Sequence, residues 1–190
     1  MILPIVAYGH PTLKKVAEEI DQDYPGLDQL IEDMFETMYA SAGVGLAAPQ
    51  VNKSIRLFIV DASAYGDEYP EAKDFKKVFI NPIILEESGE EWSFNEGCLS
   101  VPTVREDIIR KPKILIEYND RDFNLIEETY EGVMARIMQH EYDHIEGTIF
   151  VERVSPLRKM LLKRKLHDIS TGNIDVDYKM IFPLKSKKRK

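Results

Sequence analysis

Residues His140-Glu141-Tyr142-Asp143-His144 fit the pattern H-E-x-x-H, and nothing else in the chain restricts its fold as much. Side chains at i and i+4 share a face only on a helix, so both imidazoles can reach one cation only if this stretch is helical. Val133, Ile137, His140, Glu141 and His144 do fall on a helical repeat across residues 131–146. Glu141, next to the first His, then lies close to the cation's open position. There it can take a proton from water and deliver it to a leaving group. The plain alternative is a chance match on an amphipathic helix.

A hydrolytic metal site needs three protein ligands and one open position. In one group of zinc peptidases the third ligand is a His six residues after the second, but here that position is Phe150. In another it is a Glu on a following helix, but Arg153 to His167 contains no acid. Two candidates stay open: His167 and, upstream, Cys98. Cys98 is the chain's one cysteine, so no internal disulfide can form. It sits in Glu96-Gly97-Cys98-Leu99-Ser100, and a thiolate with two imidazoles suits Zn or Fe(II). A lone Cys is otherwise most often a small buried hydrophobe. A third feature is Gly43-Val44-Gly45-Leu46-Ala47-Ala48-Pro49-Gln50, whose small residues allow another chain to approach the backbone. Gln50 there offers an amide donor for a developing oxyanion, although small-residue loops after helices are common.

The rest of the chain supplies the frame. Leu27, Leu30, Ile31, Met34, Phe35 and Met38 have helical spacing, and Ser155-Pro156 is a helix start whose helix runs to about His167. Ile55 to Val60 reads as a strand. Val78 to Ile80 and Ile83 to Leu85 read as two short strands or one bent at Pro82. Ile114 to Tyr118 and Leu125 to Tyr130 read as a hairpin, and Asp61 to Lys77 as a surface excursion. Beyond Ser170 the pattern fades into a tail. The expected organisation is a catalytic domain over residues 1–168 and a C-terminal extension over 169–190. The fold class is α+β, with short, mainly antiparallel strands around a central helix carrying the H-E-x-x-H pattern, and a C-terminal helix.

With 44% hydrophobic and 31% charged residues, the chain has an ordinary globular balance, and no apolar run is long enough to span a bilayer. Met1 to Tyr8 lacks a basic start and a small-residue cleavage site, so no secretory signal is expected there. The net charge is -8, yet five of the last six residues are basic, leaving an acidic body that argues against a general nucleic-acid binder.

Taken together, the three segments resemble the peptide deformylase family. Its motifs, G-x-G-x-A-A-x-Q, E-G-C-L-S and Q-H-E-x-D-H-x-x-G, are matched in order by Gly43 to Gln50, Glu96 to Ser100 and Gln139 to Gly147. The general resemblance spans roughly Ile2 to Leu166. It implies metal-dependent removal of the formyl group from the N-terminal methionine of nascent proteins, in a bacterial-type cytoplasm. It implies Cys98, His140 and His144 as metal ligands for Fe(II), with Zn, Ni or Co able to occupy the site. It implies Glu141 as general base and acid, and Gln50 with the Leu99 N–H as oxyanion hole. The substrate backbone would pair with Val44, Gly45 and Gly97, and Val44, Val133, Ile137 and the His140 ring would line the methionine pocket. Arg136 stands where many relatives have an apolar pocket residue, which suggests a rim that is more polar or differently shaped. Arg105 and Arg110 are possible ion-pair partners of Glu96.

The partners implied are N-formylmethionyl nascent peptides and the ribosome. The latter would be met through Arg158, Lys159, Lys163, Arg164, Lys165 and the Lys185 to Lys190 tail. No membrane partner is expected. Two rivals stand beside this reading: a zinc peptidase using the same helix, which leaves Gln50 and Cys98 unexplained, and a non-catalytic peptide-binding or ribosome-associated module, which would be expected to lack a ligand or the base.

Overall fold

The run from Ile55 to Val60 is apolar at every second position on both faces apart from Arg56, and the computed structural model, which describes residues 1–183, shows why. Its strand β3 (Leu57–Asp61) is covered on both sides. Leu57 and Ile59 face a cluster with Ile31, Met34, Phe35 and Met38 of α1 (Leu27–Ala40). Phe58 and Val60 face Val133, Ile137 and Met138 of α2 (Gly132–Ile145), the helix that carries the two histidines. The two-residue period of a strand thus serves two helices at once.

The nine strands among the described residues are β1 (Ile5–Val6), β2 (Gly45–Ala47), β3, β4 (Lys76–Ser88), β5 (Trp92–Cys98), β6 (Val101–Arg110), β7 (Lys113–Asn119), β8 (Leu125–Glu131) and β9 (Met180–Ile181). One antiparallel sheet has the order β2-β3-β4-β7-β8, β5 and β6 form a separate antiparallel hairpin, and β1 pairs with β9 in parallel. Helix α2 lies against β2, β3, β7 and β8. The α+β class and the central helix therefore agree with the sequence.

Several expectations resolve into specific devices. β4 is one bent strand: its register shifts between Ile80 and Ile83. At the bend Asn81 takes positive φ (49°), and its side chain brackets the Ile20 backbone through two hydrogen bonds. The β7–β8 turn is closed by Asp120, whose carboxylate accepts from the N–H groups of Asp122 and Asn124. The excursion after Asp61 contains two single 3-10 turns, Ser63–Tyr65 and Pro70–Ala72. Helix α2 stops at Gly147, which has φ 71°; a Cβ there would come within 2.9 Å of the Lys14 carbonyl oxygen, so glycine sets the helix end.

α3 (Pro156–Ser170) is capped by the Ser155 hydroxyl, which accepts from the Arg158 N–H. Its Leu162, Leu166 and Ile169 pack with Val101, Val104 and Ile108 of β6 in a third apolar cluster. The stretch past Ser170 is not simply a tail: Met180 and Ile181 add β9 alongside Ile5 and Val6. The basic run Lys185 to Lys190 lies outside the described residues.

Candidate active site

β5 ends at Cys98 and β6 begins at Val101, its register partner, so Leu99 and Ser100 form the whole turn. That tight hairpin carries Cys98 to α2. One ligand atom each from Cys98, His140 and His144 lies within 4.8 Å of the others, and Cys98 Sγ is 3.3 Å from His144 Nε2. His167, the other open candidate, is not part of this group; it lies in the last turn of α3.

The donor set fits a divalent cation. It offers one thiol and two imidazoles, and both helix positions face the same way. The His140 tautomer is fixed because Nδ1 is engaged by Glu96 Oε2 at 2.8 Å, which leaves Nε2 for a ligand. His144 Nδ1 and Glu141 Oε2 are buried without a hydrogen-bond partner. Burial pushes the Glu141 carboxyl up to about 7. Burial also holds the His144 imidazole neutral, its pKa well below the usual value, and a neutral imidazole is the form that binds a metal.

Glu141 is fitted against the edge strand. A Cβ on Gly45 would meet Glu141 Oε1 at 2.5 Å, so glycine is required there. Gln50 is held by its own loop: the Ala47 N–H donates to Oε1 at 2.8 Å, which turns Nε2 towards Cys98 Sγ (3.5 Å) and Ser100 Oγ (3.4 Å). The amide is thus aimed by the strand-to-turn geometry of Ala47 to Gln50.

Behind the ligands lies a buried charge network. Glu96 accepts Nε and Nη2 of Arg110 at 2.8 and 3.0 Å, and Nη1 of Arg136 at 3.0 Å. Burial alone would raise the Glu96 carboxyl pKa, but the hydrogen bonds from His140 and Arg110 outweigh it and hold it far below the ordinary range. Arg110 also donates to Asp143 at 2.8 Å, and Asp143 is gripped from outside by Arg153. Of the two arginines named from sequence, Arg110 is therefore the partner of Glu96. Arg105 instead donates to the side-chain and backbone oxygens of Asn95. Arg136 does line the cavity, as a buried side chain: it is 2% exposed, bonded to the carbonyls of Trp92 and Ile108, and stacked over the Trp92 ring.

These groups open onto a cavity of about 510 Å³. Val44, Gly45, Gln50, Gly97, Cys98, Leu99, Ile137, His140 and Glu141 line it. Val133 does not. It is fully buried in the cluster under α2, one turn before Ile137, so its contribution to the pocket is corrected to support from beneath. Among the lining residues that escaped the sequence reading are Val176 and Tyr178, from the stretch read as a tail. The signal was present: Ile174, Val176, Tyr178, Met180 and Phe182 alternate with the two-residue period of an extended strand.

Comparison with known proteins agrees with this geometry. The family model described as Polypeptide deformylase matches residues 2–160. A peptide deformylase of Christiangramia forsetii is 55% identical, with all of each chain covered. The crystal structure of a peptide deformylase from Legionella pneumophila superposes with a TM-score of 0.78 at 39% identity, covering 88% of this chain and 95% of the other. A class I type b peptide deformylase from Acinetobacter baumannii, solved with Met-Ala-Ser bound, gives a TM-score of 0.75 at 38% identity, covering 81% of this chain and 99% of the other.

Proposed function

Since the chain belongs to the polypeptide deformylase family, we propose that the cavity beside α2 is where this enzyme removes the formyl group from the N-terminal methionine of nascent proteins, releasing formate. One observation carries the assignment of residues. Cys98, His140, Glu141 and the aimed Gln50 amide line one cavity, with the His144 ligand atom within 4.8 Å of those of Cys98 and His140.

Cys98, His140 and His144 would hold the metal. When bound, it supplies Lewis acidity and lowers the pKa of water at the open position. The remaining work falls to the chain. Val44, Gly45 and Gly97 offer backbone to an extended peptide, a mode largely indifferent to its sequence. Ile137 lines the methionine pocket, with Val133 beneath it. As water attacks the formyl carbon, Glu141 Oε2 accepts its proton. The new oxyanion takes hydrogen bonds from Gln50 Nε2 and the Leu99 N–H. The C–N bond then breaks, and Glu141 returns the proton to the leaving amine, giving formate and free N-terminal methionine.

The proposed resident metal is Fe(II), the ion implied by the resemblance; Zn, Ni and Co suit the same donors. A Cys98 thiolate beside Fe(II) is open to oxidation. The proposed setting is the cytoplasm, and no described helix is long and apolar enough to cross a membrane. Residues 1–168 are proposed as the catalytic domain and 169–190 as its extension.

The test is formate release from formyl-Met-Ala-Ser, with protein purified without oxygen or loaded with nickel. No formate from folded, metal-loaded protein would end the deformylase reading, and cleavage of internal peptide bonds would favour a peptidase.

A second reading concerns α3. Leu157, Met160 and Leu161 are more than 60% exposed, and Lys159, Lys163 and Arg164 form no ion pair among the described residues. Arg158 and Lys165 are instead tied to Glu106 and the Thr103 carbonyl. We propose the free cations and apolar face as a ribosome contact. Neutralising Lys159, Lys163 and Arg164 together should weaken salt-dependent ribosome binding; unchanged binding would end this reading.

A further inference from the structure

Leu99 enters the reaction through its N–H, and its other polar atom leads out of the family's matched region. The turn between Cys98 and Val101 contains only Leu99 and Ser100, so neither carbonyl has a ladder partner within the hairpin. The Ser100 carbonyl accepts the Tyr8 N–H at 2.8 Å. The Leu99 carbonyl accepts the Tyr178 hydroxyl at 2.8 Å.

Tyr178 is anchored there. Two residues later β9 pairs with β1, and Ile174, Met180, Ile181 and Phe182 pack in the cluster that also holds Val6 and touches Cys98. Tyr178 and Val176 form part of the cavity wall. All of this lies beyond residue 160, where the family match ends. Because peptide units are planar, clamping the Leu99 carbonyl fixes the plane that follows Leu99 and restricts rotation about the residue. With Cys98 held on the other side, the direction of the Leu99 N–H is then determined.

We propose that Tyr178 is a positioning residue: its hydroxyl holds the Leu99 carbonyl so that the Leu99 N–H points at the developing oxyanion. The C-terminal extension thereby becomes part of the reacting site. This rests on the deformylase reading with Leu99 as oxyanion donor.

The test compares full-length Tyr178→Phe with wild type, both loaded with nickel, on formyl-Met-Ala-Ser. Losing an ordinary hydrogen bond that acts only in the transition state corresponds to about a tenfold fall in kcat, with KM within about twofold. Metal content and melting temperature should stay close to wild type, because the ring remains. The ¹⁵N–¹H resonance of the Leu99 amide, followed in the zinc-loaded protein, should move. An unchanged kcat with an unmoved Leu99 resonance would overturn the proposal, leaving Tyr178 as packing. A fall in activity matched by lost metal or lost fold would overturn it as well. If wild type released no formate, the deformylase reading would fail alone, and the clamp on Leu99 would still be judged by the amide resonance.

Discussion

The two sides of His140 are built on opposite rules. Behind it, Glu96, Arg110, Arg136 and Asp143 form a network of buried charges, closed from the surface by the exposed Arg153, in which every carboxylate has a cationic partner. In front of it, Glu141 Oε2 and His144 Nδ1 are buried with no partner at all. Buried polar atoms normally find partners, because leaving one unpaired costs about 1–3 kcal/mol. The difference teaches which groups are committed to holding the site and which are kept for reaction. Paired carboxylates fix the imidazole and the hairpin; the unpaired Glu141 oxygen is left for water and substrate.

Substitutions on each side can break or sharpen that contrast. The largest effect is expected in front. Glu141→Gln keeps shape and loses the proton acceptor, so turnover should fall by about 100- to 10,000-fold. Thermal stability should hold or rise, since a desolvated carboxylate is removed. A clear drop in melting temperature would show that Glu141 belongs with the structural side after all. Gln50→Ala removes one oxyanion donor and should lower turnover by about 100- to 1,000-fold with metal content unchanged; a near-normal rate would take Gln50 out of the reaction.

Behind His140 the pattern should reverse. Glu96→Gln leaves Arg110 and Arg136 short of a negative partner, costing about 3–5 kcal/mol of stability by denaturant melts. It also frees the His140 ring, weakening metal affinity by about 10- to 100-fold in a chelator competition. Stability equal to wild type would mean that the network is ornamental. The smallest effect belongs at its outer end. The Arg153 side chain is 42% exposed, and Asp143 keeps Arg110, so Arg153→Ala should cost about 1 kcal/mol or less and spare activity.

The same contrast decides what the sequence could reveal. Helical spacing exposed α1 and α2, and the ordered motifs located Cys98, His140, His144, Glu141 and Gln50, because these features are local in the chain. The β5–β6 hairpin shows in the sequence only as two strand-like regions on either side of Cys98. The inner face of β6 reads Val104, Glu106, Ile108, Arg110, and all four are buried. Charges normally mark the solvent face, so two inward charges erase the alternation that would announce a strand. They sit inside only because Glu96 and Arg158 meet them there, from other elements. The burial of Arg136 in the cavity wall was hidden for the same reason. Its partners, Glu96 and the Trp92 and Ile108 carbonyls, are far along the chain. Strand β1 has only two residues, too few for any period to show.

The pairing of those two short strands also bears on time. Ile5 lies in register with Met180, so among the described strands the first made is completed by the last. At synthesis rates of about 5–20 residues per second, β1 waits roughly ten to thirty seconds for its neighbour. Once His144 has been added, the chain contains all three candidate ligands, the base and the amide, while one wall of its cleft has yet to be translated.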